Sequence, residues 1–276
     1  MTKLRVGLVQ ITAGDDPAIT TEVLEKYVNL AADGGASLVL TPEVSNMISS
    51  SRSHQESRLS TPDDDPTLAK MRAIAKDRGI WLLIGSLALK SGGEDPRFLN
   101  RSFLISPQGD VDAQYDKIHM FDVELGNGER YRESAQFQPG DQAVLGNTPL
   151  GKIGLTICYD LRFPHLYRTL AQAGAEIITV PAAFTVPTGK AHWHTLLRAR
   201  AIETGCFILA PAQTGQHSPK RATYGHSLVV SPWGGVLADA GDAQGVTFAE
   251  IDLRLVAEAR AKIPALIHDR GFKAPQ

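Results

Sequence analysis

The chain has 276 residues and a formal charge of −2, from 28 Lys and Arg against 30 Asp and Glu. That balance argues against nucleic acid as a partner, whose footprint is a marked basic excess; at this length one core buries roughly three quarters of the unfolded surface, so no disulfide or metal staple is required. No stretch reaches the ~18 apolar residues of a membrane span, and the N-terminus lacks a signal-peptide pattern, so a cytoplasmic protein with no membrane partner is expected.

Short β-rich apolar runs alternate with helix-like segments, which predicts an α/β fold. Leu4–Ile11 reads as a strand, followed by a helix near Pro17–Asp33 and a strand at Ser37–Leu40. A second helix near Pro66–Arg78 stops at Gly79, and Ile80–Leu89 is a buried strand. The second half repeats the rhythm: strand Lys152–Ile157, helix Pro164–Ala173, strand Glu176–Val180, helix about Ala191–Thr204 and strand Cys206–Ala210. The stretch from Ser102 through Pro107 and Gly109 to Val111 matches that from Ser227 through Pro232 and Gly234 to Val236. Both read as β-hairpins with Pro and Gly in the turn, and the shared element order favours an internal pseudo-repeat over chance. Two such halves would give two sheets with helices outside each, and loops from both could meet at one site beyond the strand ends. No linker divides them, so residues 1–276 read as one domain with a core of about 1–255.

Three segments place a reactive side chain just past a buried strand: Leu38–Glu43, Ala113–Phe121 with Lys117, and Ile153–Pro164 with Cys158. Cys158 stands before a proline-marked helix N-terminus, where a helix end or a lysine can lower the thiol pKa well below ~8.5. Backbone N–H groups at the turn, such as that of Tyr159, can point at a developing oxyanion. A lone cysteine is commonly just a small buried hydrophobe, as Cys206 reads in Thr204–Leu209; the polar run after Cys158 sets it apart without settling the matter. Taken alone, Glu43 and Lys117 read more readily as a surface carboxylate and a solvated cation. Neither cysteine belongs to a C-x-x-C pair, so a cysteine zinc site and dithiol exchange are poorly supported. His192 and His194 are two apart and share no helix face, which makes a poor metal pair. No Walker A, G-x-S-x-G or H-E-x-x-H motif occurs.

Together these segments resemble the nitrilase superfamily of carbon–nitrogen hydrolases, whose Glu-Lys-Cys triad comes in that chain order. Its three contexts stand here as Pro42-Glu43, Tyr115-Asp116-Lys117 and Cys158-Tyr159-Asp160-Leu161-Arg162-Phe163. The resemblance implies a four-layer α-β-β-α sandwich, no cofactor, and homodimers or higher homo-oligomers with the tail, residues 256–276, at the interface. It also implies a second glutamate, which Glu133-Ser134 with Pro139-Gly140 supplies. Within the superfamily the chain is most similar to the branch of deaminated glutathione amidases, on Asp116–Glu124, His192–Glu203 and Lys220–Ser227.

The implied activity is hydrolysis of a small 2-oxo acid amide through a thioester, with ammonia released. Glu43 is then the base, Cys158 the nucleophile, Lys117 and the Tyr159 N–H the oxyanion donors, and Glu133 an orienting group. Arg162, Lys220 and Arg221 are candidates for the substrate carboxylates, with Phe184 beside them; as solvated or structural charges the three cations read equally well. Arg198 and Arg200 read as structural. An ω-amidase acting on 2-oxoglutaramate, another nitrilase-family amidase or carbamoylase, and a silent binding module on the same scaffold are the alternatives.

Overall fold

The computed structural model describes residues 3–125 and 130–275, so Gln276 of the expected tail lies outside the described residues. The first half comprises β1 (Lys3–Gln10), α1 (Pro17–Asp33), β2 (Leu38–Leu40), α2 (Arg52–Arg58), α3 (Pro66–Arg78), β3 (Trp81–Lys90), β4 (Phe98–Ile105) and β5 (Val111–Asp116). A short hairpin, β6 (Asp122–Glu124) and β7 (Arg130–Arg132), leads to β8 (Val144–Thr148), β9 (Gly151–Leu155), α4 (Pro164–Gln172), β10 (Ile177–Thr179), α5 (Val186–Thr204) and β11 (Phe207–Ala210). A second hairpin, β12 (Thr214–Ser218) and β13 (Arg221–Tyr224), precedes β14 (Leu228–Val230), β15 (Val236–Asp239), β16 (Gly245–Asp252) and α6 (Arg254–Lys262).

Local chemistry sets the helix ends. Asp16 accepts the Ala18 N–H and Asp65 the Leu68 N–H, each just before a proline that presets the first turn. Helix α5 begins five residues earlier than its apolar pattern suggests, because Pro187 suits a first turn and the next residues are already helical.

Two six-stranded sheets form, ordered β16-β1-β2-β3-β4-β5 and β15-β14-β11-β10-β9-β8. Period-two alternation sends Val6, Leu8, Leu38, Leu40, Leu83 and Leu104 into one apolar cluster with Leu155 and Ile177 of the other sheet. Their neighbours Val9, Val39, Leu82 and Ile84 point the other way and pack on Leu24 and Val28 of α1 and Met71 and Ile74 of α3. Helices α4 and α5 cover the second sheet with Leu166, Leu170, Trp193 and Leu197. The layers run α-β-β-α.

The repeat in the letters is a repeat in space. Each sheet has two parallel pairings at its centre, β1-β2-β3 and β9-β10-β11, followed by an antiparallel hairpin. Both hairpins slip register at the matching point, Leu104/Ile105 in one and Val229/Val230 in the other. Gly109 and Gly234 turn them at φ 82° and 83°, a region open to glycine. The last strand, β16, crosses back to pair antiparallel with β1.

Candidate active site

Glu43 leaves β2 through Thr41-Pro42 and is 4% exposed. Its Oε1 accepts from Asn100 Nδ2 at 3.0 Å and Lys117 Nζ at 2.9 Å, and its Oε2 from the Ala183 N–H at 2.9 Å. The next residue, Val44, holds φ at 46°, a strained value for a β-branched side chain, with its N–H on Ser86 Oγ. Lys117 follows β5 and is 2% exposed. Its Nζ also donates to both oxygens of Glu133, at 2.8 and 2.9 Å. Glu133 takes the Phe121 N–H on Oε2, and Asn100 Nδ2 reaches its Oε1 at 3.3 Å. The glycine of the expected Pro139-Gly140 context has a steric reason: its N–H donates to the Lys117 carbonyl, and a Cβ there would stand 2.4 Å from the Asp116 oxygen.

Cys158 sits where β9 turns into a 3₁₀ turn, Cys158–Arg162, at φ 51°. A nucleophile on a sharp, strained strand-to-helix turn projects its reactive atom clear of the sheet. The turn is braced by Asp160, which is fully buried. Asp160 accepts the Ile157 N–H and the Tyr115 hydroxyl on Oδ2 and the His119 N–H on Oδ1, with the His119 ring Nδ1 at 2.7 Å. One carboxylate thus ties the Cys158 turn to residues on both sides of Lys117.

The electrostatics correct one expectation. The sequence suggests an acidified thiol, but burial and then the facing Glu43 carboxylate push the Cys158 thiol well above its ordinary value, against the pull of Lys117. Burial raises the Glu43 carboxyl too, yet the Lys117 ammonium and the hydrogen bonds from Cys158, Lys117 and Asn100 outweigh it and hold Glu43 below the usual range. Lys117 is the mirror case: burial is overcome by Glu133 and Glu43, and the ammonium is held far above its normal range. The resting site is a carboxylate and an ammonium beside a neutral thiol.

These groups line a cavity of about 410 Å³, together with Glu133, Tyr159, Phe184, Lys220 and Arg221. Phe184 packs on Trp193 with ring centroids 4.8 Å apart. Arg221 donates to the Ala183 carbonyl and lies over the Tyr131 ring. Arg162 is a correction: it is not on the cavity wall, and its guanidinium sits over Tyr159 and Phe184 beside His192 Nδ1 at 3.2 Å. Arg200 bonds the Leu161 carbonyl and Glu203, and Arg198 the Gly234 carbonyl, so both act in the framework.

Asn100, the Ala183 N–H, and Arg130 and Arg132 at the cavity mouth were not marked as site residues by the sequence. Asn100 is one of three consecutive polar residues, with Arg101 and Ser102, in the strand Phe98–Ile105, and nothing in the letters singled it out. As to metals, the described residues bring His194 to His226 and Asp239 rather than to His192. Each histidine sits 2.9 Å from one Asp239 oxygen, hydrogen-bonding distances that an ion would have to displace. Among the described residues no helix is long and apolar enough to cross a membrane.

The chain is similar to known proteins along nearly its whole length. A deaminated glutathione amidase of Yersinia enterocolitica is 39% identical over 271 residues, covering 98% of this chain and 94% of that protein. The human deaminated glutathione amidase is 41% identical, covering 96% of this chain and 82% of that protein. The crystal structure of the Caenorhabditis elegans NitFhit protein superposes with a TM-score of 0.90 at 36% identity, over 98% of this chain and 66% of that longer one. The profile described as carbon-nitrogen hydrolase matches residues 5–261, and the chain belongs to that family of enzymes.

Proposed function

We propose that the protein is a cysteine amidase that hydrolyses deaminated glutathione, with Glu43, Lys117 and Cys158 as its catalytic residues. The observation that carries the reading is the convergence of these three side chains, from three distant stretches of chain, on one buried cavity. Glu43 takes the thiol proton as Cys158 Sγ attacks the amide carbonyl. The Lys117 ammonium and the Tyr159 N–H hold the oxyanion while Glu133 fixes Lys117. Collapse breaks the C–N bond, Glu43 returns its proton to the departing nitrogen, and a thioester remains. Glu43 then deprotonates a water that attacks the thioester, and the acid leaves as the thiol is regenerated.

The substrate reading rests on the names of the relatives and on the cations at the cavity wall, Arg130, Arg132, Lys220 and Arg221, which suit a ligand carrying carboxylates. The leaving group depends on the substrate. A primary amide such as 2-oxoglutaramate releases ammonia, whereas in deaminated glutathione the scissile amide joins the 2-oxo acid to cysteinylglycine, and the dipeptide amine departs. Release of 2-oxoglutarate, common to both, is therefore the assay, with Cys158→Ala as the blank. Turnover of deaminated glutathione with a larger kcat/KM than 2-oxoglutaramate supports the reading; the reverse order makes the protein an ω-amidase, and activity in the Cys158→Ala blank removes the catalytic assignment.

The same reading makes the protein cytoplasmic and homodimeric, with the segment 256–275 at the interface. Arg168 and Gln172 of α4 tie that segment down through the Ala265 and Leu266 carbonyls and Asp269. Ile263, Ile267 and Phe272 stay 59%, 81% and 93% exposed in the single chain. Sedimentation of the full chain against one truncated after Lys262 tests it: dimer against monomer is expected.

A further inference from the structure

Buried side-chain polar atoms almost always find a hydrogen-bond partner, because leaving one unpaired costs about 1–3 kcal/mol. Among the described residues only two fail to do so, Gln55 Oε1 and Asn100 Oδ1, and both residues line the same cavity. Asn100 is spoken for: its amide nitrogen bridges Glu43 and Glu133, and the oxygen is what that bridge leaves over. Gln55 takes no part in the chemistry.

Its placement is specific. Gln55 belongs to α2, whose first turn is capped by Ser51 Oγ accepting the His54 N–H. The helix is pinned from outside by Arg52, which donates to the Pro96 and Ala135 carbonyls, and by His54 on the Asp15 carbonyl. These contacts hold Gln55 at 3% exposure in the wall, while the residues around it on the helix are polar and face solvent. A position this enclosed would ordinarily take Leu or Met. A carboxamide there, with an enclosed oxygen that no described residue satisfies, gains a partner when its amide turns to a group that enters the cavity.

We infer that Gln55 is a specificity-determining residue that hydrogen-bonds the peptide group of the leaving dipeptide; this rests on the deaminated glutathione reading. The cations at the cavity mouth suit carboxylates, and the Cys158 neighbourhood takes the scissile amide. Of the substrate groups then left without a partner, the 2-oxo oxygen, the thiol and the second amide between cysteine and glycine, only the amide pairs a strong donor with a strong acceptor. A carboxamide is the complement of a peptide group, since rotation about its last, broad torsion presents either its donor or its acceptor. 2-Oxoglutaramate has no such group, so the contact separates the two substrates.

The test is Gln55→Met, which keeps length and volume and removes both polar atoms. A neutral hydrogen bond made in the complex is worth about 0.5–1.5 kcal/mol, so the ratio of kcat/KM for deaminated glutathione to that for 2-oxoglutaramate falls roughly three- to tenfold. The melting temperature of the free enzyme stays level or rises, because an unpaired buried amide has been replaced by apolar atoms; a purely structural glutamine would lower it. Gln55→Asn, one methylene short, keeps the polar group but not its reach and lowers the ratio as well. An unchanged ratio in Gln55→Met, or equal loss on both substrates, overturns the inference and leaves the substrate reading standing. A wild-type enzyme that does not cleave deaminated glutathione overturns both.

Discussion

Lys117→Met removes the cation between Glu43 and Glu133 while keeping a chain of similar length. The ammonium is fully engaged, 2.9 Å from Glu43 Oε1 and 2.8 and 2.9 Å from the Glu133 oxygens. Removing one partner of a buried ion pair costs about 3–5 kcal/mol. The lower end applies, because each carboxylate keeps other donors: Asn100, the Ala183 N–H and the Cys158 thiol on Glu43, Asn100 and the Phe121 N–H on Glu133. We expect about 3 kcal/mol of unfolding free energy to be lost near neutral pH. Two carboxylates left facing each other bind a proton more tightly than either alone, raising the folded-state pKa above the ordinary glutamate value of 4.5. A group raised in this way contributes stability that is present below its unfolded pKa and lost as pH rises through the folded one. The deficit against wild type should therefore be small near pH 5 and grow toward neutrality, and adding Glu133→Gln should recover about 1–2 kcal/mol of it. Urea unfolding followed by tryptophan fluorescence measures this, while hydrolysis should fall about 10²–10³-fold from the lost oxyanion donor. A deficit that ignores both pH and the second substitution would refute the reasoning.

Because the thiol is held above its ordinary 9.0 while Glu43 lies below 4.5, Cys158 alkylation by iodoacetamide between those values depends on Glu43 taking the proton and should drop in Glu43→Gln; an undiminished rate in that variant, read by intact mass, contradicts the assignment. By the same ordering the acid limb of kcat/KM belongs to Glu43 and falls only as pH drops through its lowered pKa. Asp160→Asn keeps the shape but weakens the brace on both the Cys158 turn and the Lys117 strand, and kcat should fall about a hundredfold with little change in KM. Should KM rise while kcat holds, Asp160 is not positioning the reacting groups. Arg221→Ala should raise KM for the anionic substrate about tenfold through a lost charge-assisted contact; an unchanged KM removes Arg221 from the carboxylate site.

The fold was legible because its signals are local: proline and Asp caps at helix starts, period-two apolar runs, and a Ser-Pro-x-Gly turn that recurs with the same register slip. Glu43, Lys117 and Cys158 were legible only through their flanking residues, because nothing in a lone Glu or Lys distinguishes a solvated charge from a buried one. Asn100 and the Ala183 N–H were not legible, since one is an inward polar residue on a strand and the other is backbone, which every residue carries. The thiol was misjudged for a related reason. A lysine is visible in the letters, whereas full burial and a facing carboxylate exist only after folding, and they outweigh it. Arg162 shows the limit of reading by adjacency: four positions from Cys158 on a tight turn, it packs over the Tyr159 and Phe184 rings without itself lining the cavity.

The neutral thiol follows from the charge the pocket can hold. The Glu43 carboxylate already faces the sulfur, and a resting thiolate would add a second anion beside it in a poorly solvated space. Keeping the proton on sulfur until the carbonyl arrives avoids that. In the proposed mechanism Glu43 loses its charge by taking the proton as the attack proceeds, and one negative charge appears instead on the carbonyl oxygen, within reach of the same ammonium. The total charge of the site is unchanged from resting state to tetrahedral intermediate; a proton moves in one direction and the negative charge in the other. Fixed donors aimed at the oxygen then stabilise the intermediate without reorganisation, which is where enclosure raises their value. The strained backbone at Val44 and Cys158 belongs to the same design, since φ values of 46° and 51° are conformations that non-glycine residues keep only when their surroundings over-determine them. Ser86 Oγ on the Val44 N–H and the Pro181 carbonyl on the Cys158 N–H supply that constraint, and they hold the proposed base and nucleophile, one from each half of the molecule, in place before substrate enters.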